Sequence, residues 1–125
     1  MPYQRIMEAM VVAAPCIGAA IFCDGEGERV IELRGETAPS LYDLSVVGAE
    51  CALFVPQFEE SMRSIGNAND AIAVVIGARG ALLFTALPER FSLTAWVPQA
   101  AFPKLGLARA MMLRAARRMA LSLIT

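Results

Sequence analysis

Hydrophobic and polar positions follow two different periods along this chain, and the switches between them divide it into eight segments. Residues 2–14, PYQRIMEAMVVAA, set Ile6, Met7, Met10 and Ala14 on one side at helical spacing. Pro2 stands at a helix-opening position and Pro15 closes the run, so a short amphipathic helix is predicted. CIGAAIFC, residues 16–23, is small and apolar with no charge on either side, the pattern of a strand covered on both faces. DGEGER then reads as a loop. VIELRG alternates, with Ile31 and Leu33 opposite Glu32 and Arg34, as a half-exposed edge strand does.

The longest helical stretch runs over residues 36–67. Ser40 with Asp43 three residues later is a helix-start signal, and Leu44, Val47, Cys51, Phe54, Phe58, Met62 and Ile65 step by three and four. Gly66 and Asn67 stop the pattern. A second stripe of Val46, Ala49, Leu53 and Val55 makes its middle apolar nearly all round, so more than one face needs cover. Pro56 falls inside the pattern, where it kinks the helix or restarts it as a second segment.

From Asp70 the pattern becomes three short apolar runs, AIAVVIGA, ALLFTALP and FSLTAWVP, separated by hairpin-sized breaks. They predict an antiparallel meander. The last segment, from Lys104, places Leu105, Ala108, Met112, Ala115, Met119 and Leu123 on one face, with Arg109, Arg114, Arg117 and Arg118 elsewhere. The expected fold is therefore α+β, in the order α-β-β-α-β-β-β-α: one five-stranded antiparallel sheet with helices on both faces, in a single domain over residues 1–125. AIAVVIGA falls at the second edge of that sheet, yet it carries no charge and no proline. A bare apolar edge invites another strand. With the two-sided long helix, it predicts a homodimer in which edge and helix meet their own copies.

Composition sharpens this picture. Of 125 residues 57% are hydrophobic, and the mean hydropathy is +0.53, more apolar surface than a chain this size readily covers alone. The longest apolar run, Ala9 to Cys23, is shorter than the roughly 20 residues of a spanning helix and is broken by Pro15 and Gly18. Glu8 and the lack of a small-residue cleavage site argue against a secretory leader. A cytoplasmic protein without membrane insertion is expected, with a partner chain as the cover. Charge is uneven: residues 1–90 hold six basic and twelve acidic side chains, a net of −6, whereas residues 91–125 hold five basic and none acidic, a net of +5.

Candidate chemistry is sparse. The chain has no histidine, the commonest general base. Cys16, Cys23 and Cys51 are odd in number, and a C-x6-C pair with one distant cysteine matches no structural zinc spacing, so no metal or cofactor is expected and the thiols read as core. Gly25-x-Gly27 lacks a third glycine and precedes a strand, leaving no helix N-terminus for a phosphate. Glu26, Glu28, Glu32 and Glu36 read as a solvated surface rather than a catalytic pair. The arginines of the last helix are not interleaved with aromatics, so nucleic acid is not expected; a solvated face fits them, and an acidic protein partner is the middle reading.

Two stretches resemble the Roadblock/LC7 domain family. PCIGAAIFCDGEGERV is similar to its first hairpin, an apolar-x-Gly-Ala-apolar-apolar strand followed by Asp and Gly. LGLARAMMLRAARRMA is similar to its last helix, through Leu105, Gly106, Ala115, Ala116 and Met119, and the element order between the two agrees. The resemblance implies a non-enzymatic dimer paired through the long middle helix and the third strand, with Val46, Leu53, Ile72, Val74 and Ile76 on the dimer face. It also implies a partner among the small Ras-like GTPases, regulated or scaffolded by the dimer. The DGEGER turn is longer than the family's usual one, and Pro56 is foreign to its middle helix. Two alternatives stand beside it: a profilin-like or PAS-like sensory module holding a small ligand, and a purely structural dimerisation subunit.

Overall fold

Ile6, Met7 and Met10 turn inward from a helix, α1, over Pro2–Ala13, and Ala14 behind it is buried with them. They belong to a computed structural model that describes residues 2–35, 55–65 and 72–124. Ala14 still donates its N–H to the Met10 carbonyl at 2.9 Å, and Pro15 then ends the helix because it has no N–H to continue the ladder. The Ile17 N–H reaches back to the Ala14 carbonyl at 3.0 Å, so the chain turns over residues 14–17. For that reason the first strand is shorter than its apolar run: β1 is Ala19–Cys23, buried at every position as the charge-free pattern requires.

The hairpin partner β2 is Arg29–Arg34, with Ile31 buried and Leu33 half-buried on the inner side. A helix α2 covers Val55–Ser64, followed by β3 (Ala73–Ile76), β4 (Gly80–Ala86), β5 (Ser92–Pro98), a 3₁₀ segment over Gln99–Lys104, and α3 (Leu105–Ile124). Pro56 is the second residue of α2, in a first turn where the missing N–H breaks no helical bond. The helix-start pair Ser40 and Asp43, the stripe residues Leu44, Val47, Ala49, Cys51 and Phe54, and Gly66 and Asn67 lie outside the described residues. Ile65, the last residue assigned to that stripe, falls just past the end of α2 and is exposed, whereas Met62 within the helix is half-buried.

The strands form one antiparallel sheet in the order β2-β1-β5-β4-β3. The predicted hairpin and meander are both present, and the pairing of β1 with β5, running from Ala19↔Trp96 to Cys23↔Ser92, joins them across most of the chain. Such a long-range pair leaves no local signature of its own; it follows from the hairpin and the meander once β2 and β3 are set at the two edges. With β2 and β3 at the two edges, the architecture is the α+β arrangement expected.

One face of the sheet presents Ala20, Phe22, Leu83, Leu93, Ala95 and Val97 to α1 and α3, whose Met7, Met10, Ala108, Met112 and Met119 complete a continuous core. Phe22, buried to 1%, lies between Tyr3 of α1 (centroids 5.1 Å apart) and Phe91 before β5 (5.2 Å, nearly parallel). Each such ring pair adds about 0.5–1.5 kcal/mol beyond its burial. The opposite face carries Ala19, Ile21 and Cys23 against Trp96, and it is buried too. No helix of the described residues is long and apolar enough to cross a membrane.

Candidate functional site

The features that set this chain apart lie at its strand edges and turns. In the loop between β1 and β2, one oxygen of Asp24 accepts the backbone N–H groups of Glu26 (2.9 Å) and Glu28 (3.0 Å). Gly27 takes φ 82°, a left-handed conformation that its missing Cβ permits. The glycines of DGEGER thus close a turn, as expected. In the strand behind it, Arg29 pairs with Glu32 at 3.0 Å, and Arg34 is exposed, so the β2 edge is charged.

The other edge has the opposite character. Among the described strands β3 pairs with β4 alone, from Ala73↔Phe84 to Ile76↔Ala81. Val74, Val75 and Ile76 are 42%, 66% and 63% exposed, so both faces of the strand are bare, where alternation leads one to expect one covered face. Of the residues assigned to a dimer face, Val74 and Ile76 therefore stand in the open on this edge. Ile72, just ahead of the strand, is half-buried and packs against the core. Val46 and Leu53 lie outside the described residues. Val75, which the sequence did not single out, is the most exposed of the three strand residues.

Cys23 is buried and Cys16 half-buried, with the Cys16 thiol 3.6 Å from the Lys104 carbonyl; Cys51 is outside the described residues. Among the described residues no three His, Cys, Asp or Glu side chains come together as a metal set. The sequence did miss one polar feature. Ser92 Oγ, Thr94 Oγ1 and Trp96 Nε1, on the same face of β5 at two-residue intervals, are buried without a hydrogen-bond partner among the described residues. The alternation of FSLTAWVP carried that signal: every second residue can bond, and the apolar run hid it.

Neither a protein-family model nor a curated protein matches the sequence. Solved structures do match. MglB of Myxococcus xanthus superposes with a TM-score of 0.76 at 17% identity, covering 98% of this chain and 95% of that one. An MglB with a tetrameric arrangement gives 0.75 at 21% identity, over 95% and 88% of the two chains. A Roadblock/LC7 domain from Streptomyces avermitilis gives 0.68 at 14% identity, over 97% of each. Matches at these identities speak for backbone architecture, and over nearly the whole length of both partners they agree: the chain has the Roadblock/LC7 domain fold.

Proposed function

We propose that this protein is a self-associating, non-enzymatic cytoplasmic regulator or scaffold that docks a small Ras-like GTPase. The observation that carries the proposal is the β3 edge, where Val74, Val75 and Ile76 are exposed on an uncharged strand that pairs on one side only among the described strands. Pairing that edge with its copy continues the sheet across two chains through backbone hydrogen bonds and covers the flanks of three large apolar side chains, at roughly 25 cal/mol per Å² of apolar surface covered. The tetrameric arrangement of one MglB neighbour supports self-association. The fold and the resemblance of the first hairpin and last helix support a GTPase as partner.

The test is a titration of the purified chain against small Ras-like GTPases loaded with GDP or a non-hydrolysable GTP analogue. Binding that depends on the nucleotide is expected. Failure to bind any of them in either state counts against the GTPase, while leaving self-association to be decided by light scattering.

A second reading, a module that holds a small ligand, is favoured by the buried unpartnered row of Ser92, Thr94 and Trp96. Native mass spectrometry decides it: a monomer carrying a bound metabolite supports this reading, and a ligand-free dimer supports the first.

A further inference from the structure

On the outer side of the helical layer, away from the sheet, α1 and α3 leave a groove of about 170 Å³ between them. Its walls are regular. On α3, Leu107, Met111, Arg114, Arg118 and Leu121 step by four, three, four and three, so they share one stripe; on α1, Ile6, Ala9 and Ala13 step by three and four. Met111, Arg114 and Arg118 line the groove opposite Ala9 and Ala13, with Met10 in its floor. Leu107 and Leu121, at 39% and 64% exposure, carry the apolar stripe beyond it at both ends.

Arg114 and Arg118 lie one helical turn apart at its rim and make no hydrogen bond or ion pair with a described residue. Residues 91–125 contain no acidic side chain. Glu8, the acid of α1, sits one residue off the Ala9 stripe, about 100° around the helix. The groove is therefore apolar in its floor and positive on one rim.

We propose that this groove docks an acidic amphipathic helix of another protein. Three observations favour that occupant. The stripes on both walls follow the alternating three-four spacing with which helices pack on one another. The volume suits one large apolar anchor, and the small Ala9 and Ala13 let a backbone come close. Two guanidinium groups one turn apart match carboxylates one turn apart on a facing helix. A bilayer calls for apolar side chains that protrude, whereas here Met10 is buried in the floor of a cleft. The stripe from Leu107 to Leu121 extends about 21 Å, the length of a helix of about four turns.

The test uses the full-length chain, isotopically labelled, and a synthetic amphipathic peptide of about 15 residues, long enough to span that stripe. Its leucines follow three-four spacing and are flanked by glutamates one turn apart. Amide shifts confined to α1 and α3 are expected, together with at least a roughly tenfold loss of affinity in the double variant Arg114→Glu, Arg118→Glu. A peptide with lysines for the glutamates should bind that variant and not the wild type, which shows that the variant is folded. Absence of shifts in α1 and α3, or undiminished binding by the charge-reversed variant, overturns the proposal. Arginine-dependent sedimentation with phosphatidylglycerol vesicles, in the absence of peptide binding, overturns it in favour of a membrane surface.

Discussion

The indole of Trp96 occupies the space that a Cβ on Gly80 would need. Three of its ring carbons fall within that Cβ's van der Waals reach, and on the other side Cδ1 lies 3.3 Å from where a Cβ on Gly18 would stand. Trp96 thus uses a glycine on each neighbouring side of β5 as room for its ring. A side chain at position 80 must displace the indole. Gly80→Ala is expected to destabilise the fold by about 1–3 kcal/mol, the usual cost of overpacking. In a Trp96→Leu background most of that cost should vanish, because the two sites share one volume. Thermal denaturation of the four proteins in this cycle checks it; additive effects would show that the ring is not the obstacle.

Thr94 offers a sharper measurement. Its hydroxyl is buried without a partner among the described residues, so replacing it with valine removes a desolvation cost while keeping the shape. Thr94→Val is expected to be neutral or stabilising by up to about 1 kcal/mol. A clear loss of stability, or loss of a bound metabolite, would mean that the hydroxyl serves a ligand.

The turn between β4 and β5 is strained. Glu89 and Arg90 both hold positive φ, 61° and 66°, and the Phe91 N–H bonds back to the Pro88 carbonyl at 3.3 Å. This geometry fits a two-residue hairpin turn that favours Asn-Gly. Arg90→Gly relieves a left-handed residue worth about 1–2 kcal/mol, of which about half is returned as extra freedom of the unfolded chain. A net gain of about 0.5–1 kcal/mol is expected, read as a rise of about 3–5 °C in Tm. An unchanged or lower Tm would refute this account of the turn.

The proposed self-pairing of β3 is open to a direct test. Val74→Lys puts a charge on the bare edge. The wild type is expected to run as a dimer in size-exclusion chromatography with light scattering, and the variant as a monomer with an unchanged circular dichroism spectrum, or as insoluble protein. A wild-type monomer, or a Val74→Lys dimer, would dispose of this interface.

Strands were legible in the sequence where the physics is local. Ile31 and Leu33 against Glu32 and Arg34 placed an edge strand, and the place of AIAVVI at the start of the meander set the other edge, whose lack of charge asked for a partner. What the pattern does not carry directly is of two kinds. The pairing of β1 beside β5 leaves no periodic trace in either strand and follows only from setting β2 and β3 at the two edges. A hydroxyl in an apolar run, such as Thr94, does not interrupt a hydrophobic pattern, because threonine suits a strand as well as valine does. The arginines of α3 were legible as a charged face, but the cleft that Arg114 and Arg118 border arises from two helices distant in sequence. Positions 46 and 53 lie outside the described residues, and the dimer face drawn through them stands as a proposal.

The two outer strands of the sheet also set a limit on growth. β2 ends the sheet with Arg29, Glu32 and Arg34, and β3 ends it with Val74, Val75 and Ile76. Among the described strands, that leaves one uncharged border open to strand addition. When two copies join through β3, both remaining borders are charged, and the joined sheet has nothing left to recruit a third. On the proposed pairing, an apolar border that would seed fibres in a symmetric sheet makes instead a pair that terminates itself.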